Sequence, residues 1–132
     1  MSDVGVTVAR WVEKAKGRQT AVLRAVAQAA LDRVQALTPA GPEDVRGNWS
    51  AVLPDDAIPT AGSPTIAALA TVKAGDVVHI VNPVAHARTV EYGGTDTHGD
   101  GTFRVRQGQG MVRQTVTELP QIAGRVVREP PR

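Results

Sequence analysis

Apolar residues recur with helical spacing at the two ends of this chain and with strand-like spacing only in short runs between them. Val8, Trp11, Val12, Ala15, Val22, Leu23, Val26, Ala30, Val34 and Leu37 follow an i, i+3, i+4, i+7 rhythm, while Lys14, Lys16, Arg18, Arg24 and Arg33 mostly occupy other faces. This is the pattern of an amphipathic helix. Residues 1–6 read as a frayed end. Unbroken over 7–37, the helix would be about 46 Å long at 1.5 Å per residue, whereas a compact chain of this size has a diameter of roughly 36 Å. Gly17 with Arg18-Gln19-Thr20 therefore reads as a kink, with Thr20 capping a second segment. In either form, one end of the helix seeks a neighbouring subunit.

Thr38-Pro39 ends the helix, because the residue before a proline is pushed out of the α region. An exposed loop over 40–45 leads to 46–53, where Trp49, Ala51 and Leu53 alternate with more polar positions, predicting a strand with Trp49 on its core face. After a proline-interrupted stretch, Ser63-Pro64 predicts the N-cap and first position of a short helix through about Lys73, with Ile66, Leu69, Ala70 and Val72 turned inward. The β-branched run 77–81 lies between Gly75-Asp76 and Asn82-Pro83 and reads as a short, well-buried strand. Ala85, Ala87, Val90 and Tyr92, set among His86, Arg88 and Glu91, suit one or two helical turns stopped by Gly93-Gly94.

Two strands alone are marginal, so the Trp49 and Val77 strands are expected to pair and to gain a third strand from 103–107 or from a neighbour. The stretch 93–110 holds six glycines, with Phe103 and Val105 alternating with Arg104 and Arg106, and reads as an extended loop or arm. Met111, Val112, Val116, Leu119, Ile122, Ala123, Val126 and Val127 form the last periodic segment. Pro120 within it predicts a kinked helix or two short ones, and 129–132 is a flexible tail. The sum is a single α+β domain over 1–132: a long N-terminal helix and a C-terminal helix packed on a small, mostly antiparallel β-sheet, with a long Gly-rich loop.

Composition narrows the chemistry. With 132 residues and only four aromatics, Trp11, Trp49, Tyr92 and Phe103, the core must be aliphatic, and Trp11, Trp49, Val90 and Tyr92 are its expected anchors. The absence of cysteine removes disulfides and cysteine metal sites. No apolar run approaches about 18 residues, and a soluble, cytoplasmic protein is expected, with no membrane partner. Net charge is +2, but residues 1–37 hold six basic and three acidic groups, 38–100 three and eight, and 101–132 six and two. Two basic ends flank an acidic middle, an arrangement suited to stacked subunits or to a surface near nucleic acid.

Candidate sites are few. His79, His86 and His98 match no zinc spacing, and the acidic piece around His98 lacks the length and terminal glutamate of an EF-hand loop; neither metal nor cofactor is expected. Gln107-Gly108-Gln109-Gly110 lacks the Lys-Ser/Thr of a phosphate loop, and no nucleophile or carboxylate pair stands out, so no catalytic residue is assigned and the chain is not read as an enzyme. Glu91 is expected to pair with Arg88 at i−3. Arg104, Arg106 and Arg113, with Phe103 nearby, form a basic arm of the kind that touches phosphate without reading sequence.

The central segment Asn82-Pro83, then Ala87, then Glu91-Tyr92-Gly93 forms an N-P-x-x-x-A-x-x-x-E-Y-G arrangement after a strand. Gly110-Met111-Val112-Arg113-Gln114-Thr115-Val116 opens the last helix, and Thr38-Pro39 precedes Arg46-Gly47-Asn48-Trp49 upstream. In this order and spacing the chain resembles the HK97 gp10-like family of tailed-phage tail-completion or neck proteins. It departs from the family pattern at Ala85-His86, where an aromatic is usual, at Pro42-Glu43-Asp44 in place of Asp-Thr-Gly, and in the long loop after Gly94. The resemblance implies a structural virion protein at the head–tail junction, present in the host cytoplasm during assembly. It implies a homo-oligomeric ring, a hexamer in the simplest case, that contacts tail-terminator, head-closure or connector proteins. Thr95, Phe103, Arg104, Arg106 and Gln109 would lie at subunit or partner contacts, and Arg104, Arg106 and Arg113 could touch non-specific DNA in the lumen. The other reading is a small cytoplasmic nucleic-acid-binding accessory protein that uses its basic ends.

Overall fold

The computed structural model describes residues 2–41, 44–97 and 103–129. The chain is α+β, as the pattern predicts. Its elements are α1 (Ser2–Leu37), a 3-10 turn (Arg46–Asn48), β1 (Ser50–Val52), α2 (Ala68–Thr71), β2 (His79–Val81), α3 (Ala87–Tyr92), β3 (Gly93–Thr97), β4 (Phe103–Gln107) and α4 (Met111–Arg128). Two antiparallel two-stranded sheets form: β1 with β2, and β3 with β4.

The core gathers on the C-terminal half of α1. Ala27, Leu31 and Val34 meet Val45, Trp49 and Ala51, then Leu69 of α2, Val90 of α3 and Met111 of α4. Trp49 is buried as expected, and its indole Nε1 donates to Thr38 Oγ1 at 2.9 Å. Thr38 in turn donates to the carbonyl of Val34 at 2.6 Å. The hydroxyl thus ends α1 and satisfies the one polar atom of a buried tryptophan, which would otherwise carry a desolvation cost. Asn82 fixes the next corner, donating to the Val45 carbonyl at 2.7 Å and accepting from the Val84 amide at 3.1 Å.

Several elements depart from the pattern. α1 is not interrupted at Gly17. It runs unbroken from Ser2, so its first residues are helical rather than frayed, and 36 residues make it about 54 Å long. Thr20 does not cap a second segment; its Oγ1 accepts from the Ala74 amide at 2.8 Å, which ties α1 to the turn before β2. The strand expected over 46–53 shrinks to Ser50–Val52 because residues 46–48 coil into a 3-10 turn. All three strand residues are buried, since the segment after Gly62 covers the outer edge of β1: Ala51 donates to the Thr65 carbonyl at 3.0 Å, and Ser50 Oγ accepts from the Thr65 amide at 2.9 Å. That cover protects the edge of a short sheet.

The helix expected over 64–73 is only Ala68–Thr71, and its N-cap position is Ala67, with no side-chain cap. Ala68, Leu69 and Val72 turn inward, whereas Ile66 and Ala70 are exposed. The 77–81 run is not a well-buried strand: only His79–Val81 pairs, His79 is exposed, and Val77 is 58% exposed. The segment 103–107 does not extend that sheet. It pairs with Gly93–Thr97 in a hairpin of its own, because residues 93–97 follow α3 directly and offer a closer strand partner. Pro120 neither ends nor divides α4, which continues to Arg128; the cost is the one backbone bond that proline cannot donate.

Thr38→Val leaves the buried Trp49 N–H without its acceptor and is expected to cost about 1–3 kcal/mol in chemical denaturation. Trp49→Ala empties the centre of the core and is expected to cost about 3–5 kcal/mol.

Candidate assembly surface

α3 ends at Gly93, whose φ of 83° suits glycine. Just before it lies Glu91, 8% exposed. Its carboxylate does not pair with Arg88. Oε2 accepts from the Val112 amide at 2.8 Å and Oε1 from the Arg113 amide at 3.1 Å. These two N–H groups belong to the first turn of α4, where no intrahelical acceptor exists, and the positive end of the helix dipole favours an anion there. A carboxylate of α3, separated from α4 by β3 and β4, thus caps α4, whose own N-cap position, Gly110, supplies no side-chain cap.

The backbone strengthens the join. Gln109 donates to the Val90 carbonyl at 2.8 Å and Gly110 to the Glu91 carbonyl at 3.0 Å. A Cβ on Gly108 would fall 2.6 Å from the Tyr92 carbonyl carbon, so only glycine permits this approach. The β3–β4 hairpin therefore leaves the body from a root fixed on both strands, at Gly93 and at Gln107.

The structure brings Gln109 and Arg113 to this root. Gln109 is exposed, and its side-chain amide donates to the Gln107 carbonyl at 3.4 Å. Thr95, Phe103, Arg104 and Arg106 lie farther out on the hairpin, in a register that sets Thr95 opposite Val105, Arg104 opposite Asp96 and Arg106 opposite Gly94. The side chains of 95–106 lie outside the described residues, as do His98 and the hairpin tip. The expected 93–110 loop is thus, in its described part, a two-stranded ribbon with a docked return.

Two expected core anchors are not in the core. Val90 is buried, but Tyr92 is 76% exposed and Trp11 70% exposed. Tyr92 follows the inward-facing Glu91 by one residue, a turn of about 100° around the helix, which aims it outward. Trp11 lies on the part of α1 that precedes the body. From residue 8 to residue 19 no side chain is buried, and among the described residues the first hydrogen bond from α1 to another element is made at Thr20. Periodicity marks Trp11 as belonging to an apolar face but does not say whose core that face enters.

The remaining chemistry is sparse. Among the described residues no group of three or more His, Cys, Asp or Glu is placed to hold a metal ion. His79 is exposed on β2 and His86 precedes α3. Grooves lie along α1, one of them lined by Ala21, Arg24, Ala25 and Leu69, where Arg24 donates to the Leu69 carbonyl. Arg33 and Glu118 tie α1 to α4 through two bonds, 2.9 and 3.2 Å. The hydrogen bond from Arg33, then that from Gln114, holds the Glu118 carboxyl below the usual glutamate range against an opposing desolvation effect. No described helix is long and apolar enough to cross a membrane.

Glu91→Ala removes the acceptors of two first-turn amides and is expected to cost about 1–2 kcal/mol, with faster hydrogen exchange at Val112 and Arg113. A carboxyl whose folded pKa is lowered adds stability above its unfolded value and loses it as pH falls through the folded value. The melting-temperature gap between wild type and Glu118→Gln is therefore expected to be full above the ordinary glutamate value of about 4.3 and to close below the lowered one. No protein-family model, curated protein or solved structure matches the chain.

Proposed function

We propose that this chain is a structural subunit of the head–tail junction of a tailed phage or prophage-derived particle, completing the tail so that it joins the filled capsid through its connector. The observation that carries the reading is the joint placement of the resembling segments. Thr38 and Trp49 are joined by a buried hydrogen bond, and Glu91, just before Tyr92-Gly93, caps the helix opened by Gly110-Met111-Val112. Segments scattered along the chain thus have one structural task, which is to hold a hairpin and a long helix outward from a small body.

Such projections suit an assembling subunit better than an isolated one. In this reading the chain forms a ring, hexameric in the simplest form, between tail-terminator and head-closure or connector proteins. The hairpin carrying Thr95, Phe103, Arg104, Arg106 and Gln109 meets neighbours, and Arg104, Arg106 and Arg113 face non-specific DNA in the lumen. The subunit has no catalytic step of its own and works by shape and contact.

The test uses the particle-producing strain that encodes the chain. Deleting its gene is expected to give DNA-filled heads and separate tails in electron micrographs, rescued when the chain is supplied in trans, with the chain present in purified particles. Normal tailed particles after deletion would overturn the reading. Sub-micromolar, steeply salt-dependent DNA binding by a chain absent from particles would favour the accessory nucleic-acid-binding role instead.

A further inference from the structure

Residues 8–19 of α1 carry an apolar seam with no counterpart on their own chain. Val8, Val12, Ala15, Gln19, Val22 and Val26 follow at intervals of four and three, the spacing that keeps one seam of a helix turned toward a partner. Trp11 borders it. The same spacing continues through Ala29, Arg33 and Ala36, and there α4 lies against it: Arg33 meets Glu118, and these α1 residues share a groove with Ile122. α4 is 18 residues long, about 27 Å, half the length of α1. The seam is therefore filled at its C-terminal end and open at its N-terminal end.

Charge decides what fits the open end. Residues 8–19 hold Arg10, Lys14, Lys16 and Arg18 against the single acid Glu13. Arg10, Lys14 and Arg18 recur every four residues and so form one row beside Trp11. On the helix this row lies beside Trp11 and largely away from Val8 and Val12, so the charge of the open segment is concentrated on its Trp11 edge. The body offers the complement. At the end of the β1–β2 pair is a groove of about 220 Å³ lined by Val52, Leu53, Ile58, His79, Val81 and Asp56, whose Oδ2 also accepts from the Leu53 amide at 2.8 Å. Ile58 is 66% exposed, and Asp55 beside it is exposed as well. In its own protomer α1 is one continuous helix that carries Trp11 about 14 Å along its axis beyond the Thr20 anchor.

We propose that the N-terminal segment of α1 in one copy docks in this groove of a second copy. Trp11 enters beside Ile58, and Arg10 and Lys14 face Asp55 and Asp56. Trp is the side chain that contributes most at such a contact, while the short helix keeps the buried area small and a single contact weak. The two surfaces are different patches, so the contact is head-to-tail and propagates until it closes. Closure into a ring rests on the function proposed above; the contact itself does not.

Sedimentation velocity on full-length protein tests it. The variants are Trp11→Ala, which impairs the overhang, and Asp55→Lys with Ile58→Ser, which impairs the groove. Both alter exposed positions, and unchanged circular dichroism and melting confirm that each is folded. Wild type is expected to self-associate, and each variant to do so at least tenfold more weakly. An equimolar mixture of the two variants is expected to form a one-to-one complex that does not grow, because it retains one intact overhang facing one intact groove. Wild-type association by the groove variant would overturn the proposal in favour of α1-to-α1 pairing. A wild type that stays monomeric throughout would also overturn it, while leaving the head–tail role to be decided by particle composition.

Discussion

A buried carboxylate fixes how the two halves of this fold meet. Glu91 is expensive to remove from water unless its oxygens are satisfied, and they are satisfied by two amides at the start of α4. That requirement sets the direction of α4, brings Met111 into the core beside Leu31 and Val90, and closes the root of the hairpin through Gly108 and Gly110. The side chain that would otherwise weaken the interior becomes the point at which α3, the hairpin and α4 are held together.

α1 is the complementary constraint. Its second half supplies the core wall, while residues 8–19 are left to solvent. The local sequence gives a free helix there mixed support: Ala9, Arg10, Glu13, Lys14 and Ala15 favour it and Glu13 pairs with Lys16, Gly17 and the β-branched Val8 and Val12 are weak helix formers, and isolated helices of this length are marginal in water. Support has to come from packing, and on its own chain that packing ends near Thr20. The seam and the basic row indicate what kind of surface can supply it.

The sequence revealed the periodic elements well. α1 and α4 follow from apolar spacing, though both run on through the expected breaks at Gly17 and Pro120; α3 with its glycine stop follows from cap chemistry, and Trp49 and Val90 are buried as expected. It was silent wherever long-range partners decide the outcome. Local spacing points Glu91 to Arg88, because it shows only i±3 and i±4 contacts, not an amide 21 residues away. Trp11 and Tyr92 carry a core pattern, as aromatic residues on periodic segments usually do, and spacing cannot tell a face turned to its own domain from one turned to a partner. The β3–β4 pairing was hidden because residues 93–97 contain only glycine, threonine and aspartate, with no apolar alternation to mark a strand.

If another subunit completes the N-terminal half of α1, hydrogen exchange at the amides of residues 8–19 depends on protein concentration. Exchange there is expected to be rapid in dilute solution and to slow as concentration rises, while the amides of residues 27–34 stay protected throughout. Strong protection of residues 8–19 in the dilute monomer would contradict completion by another subunit, as would none at any concentration.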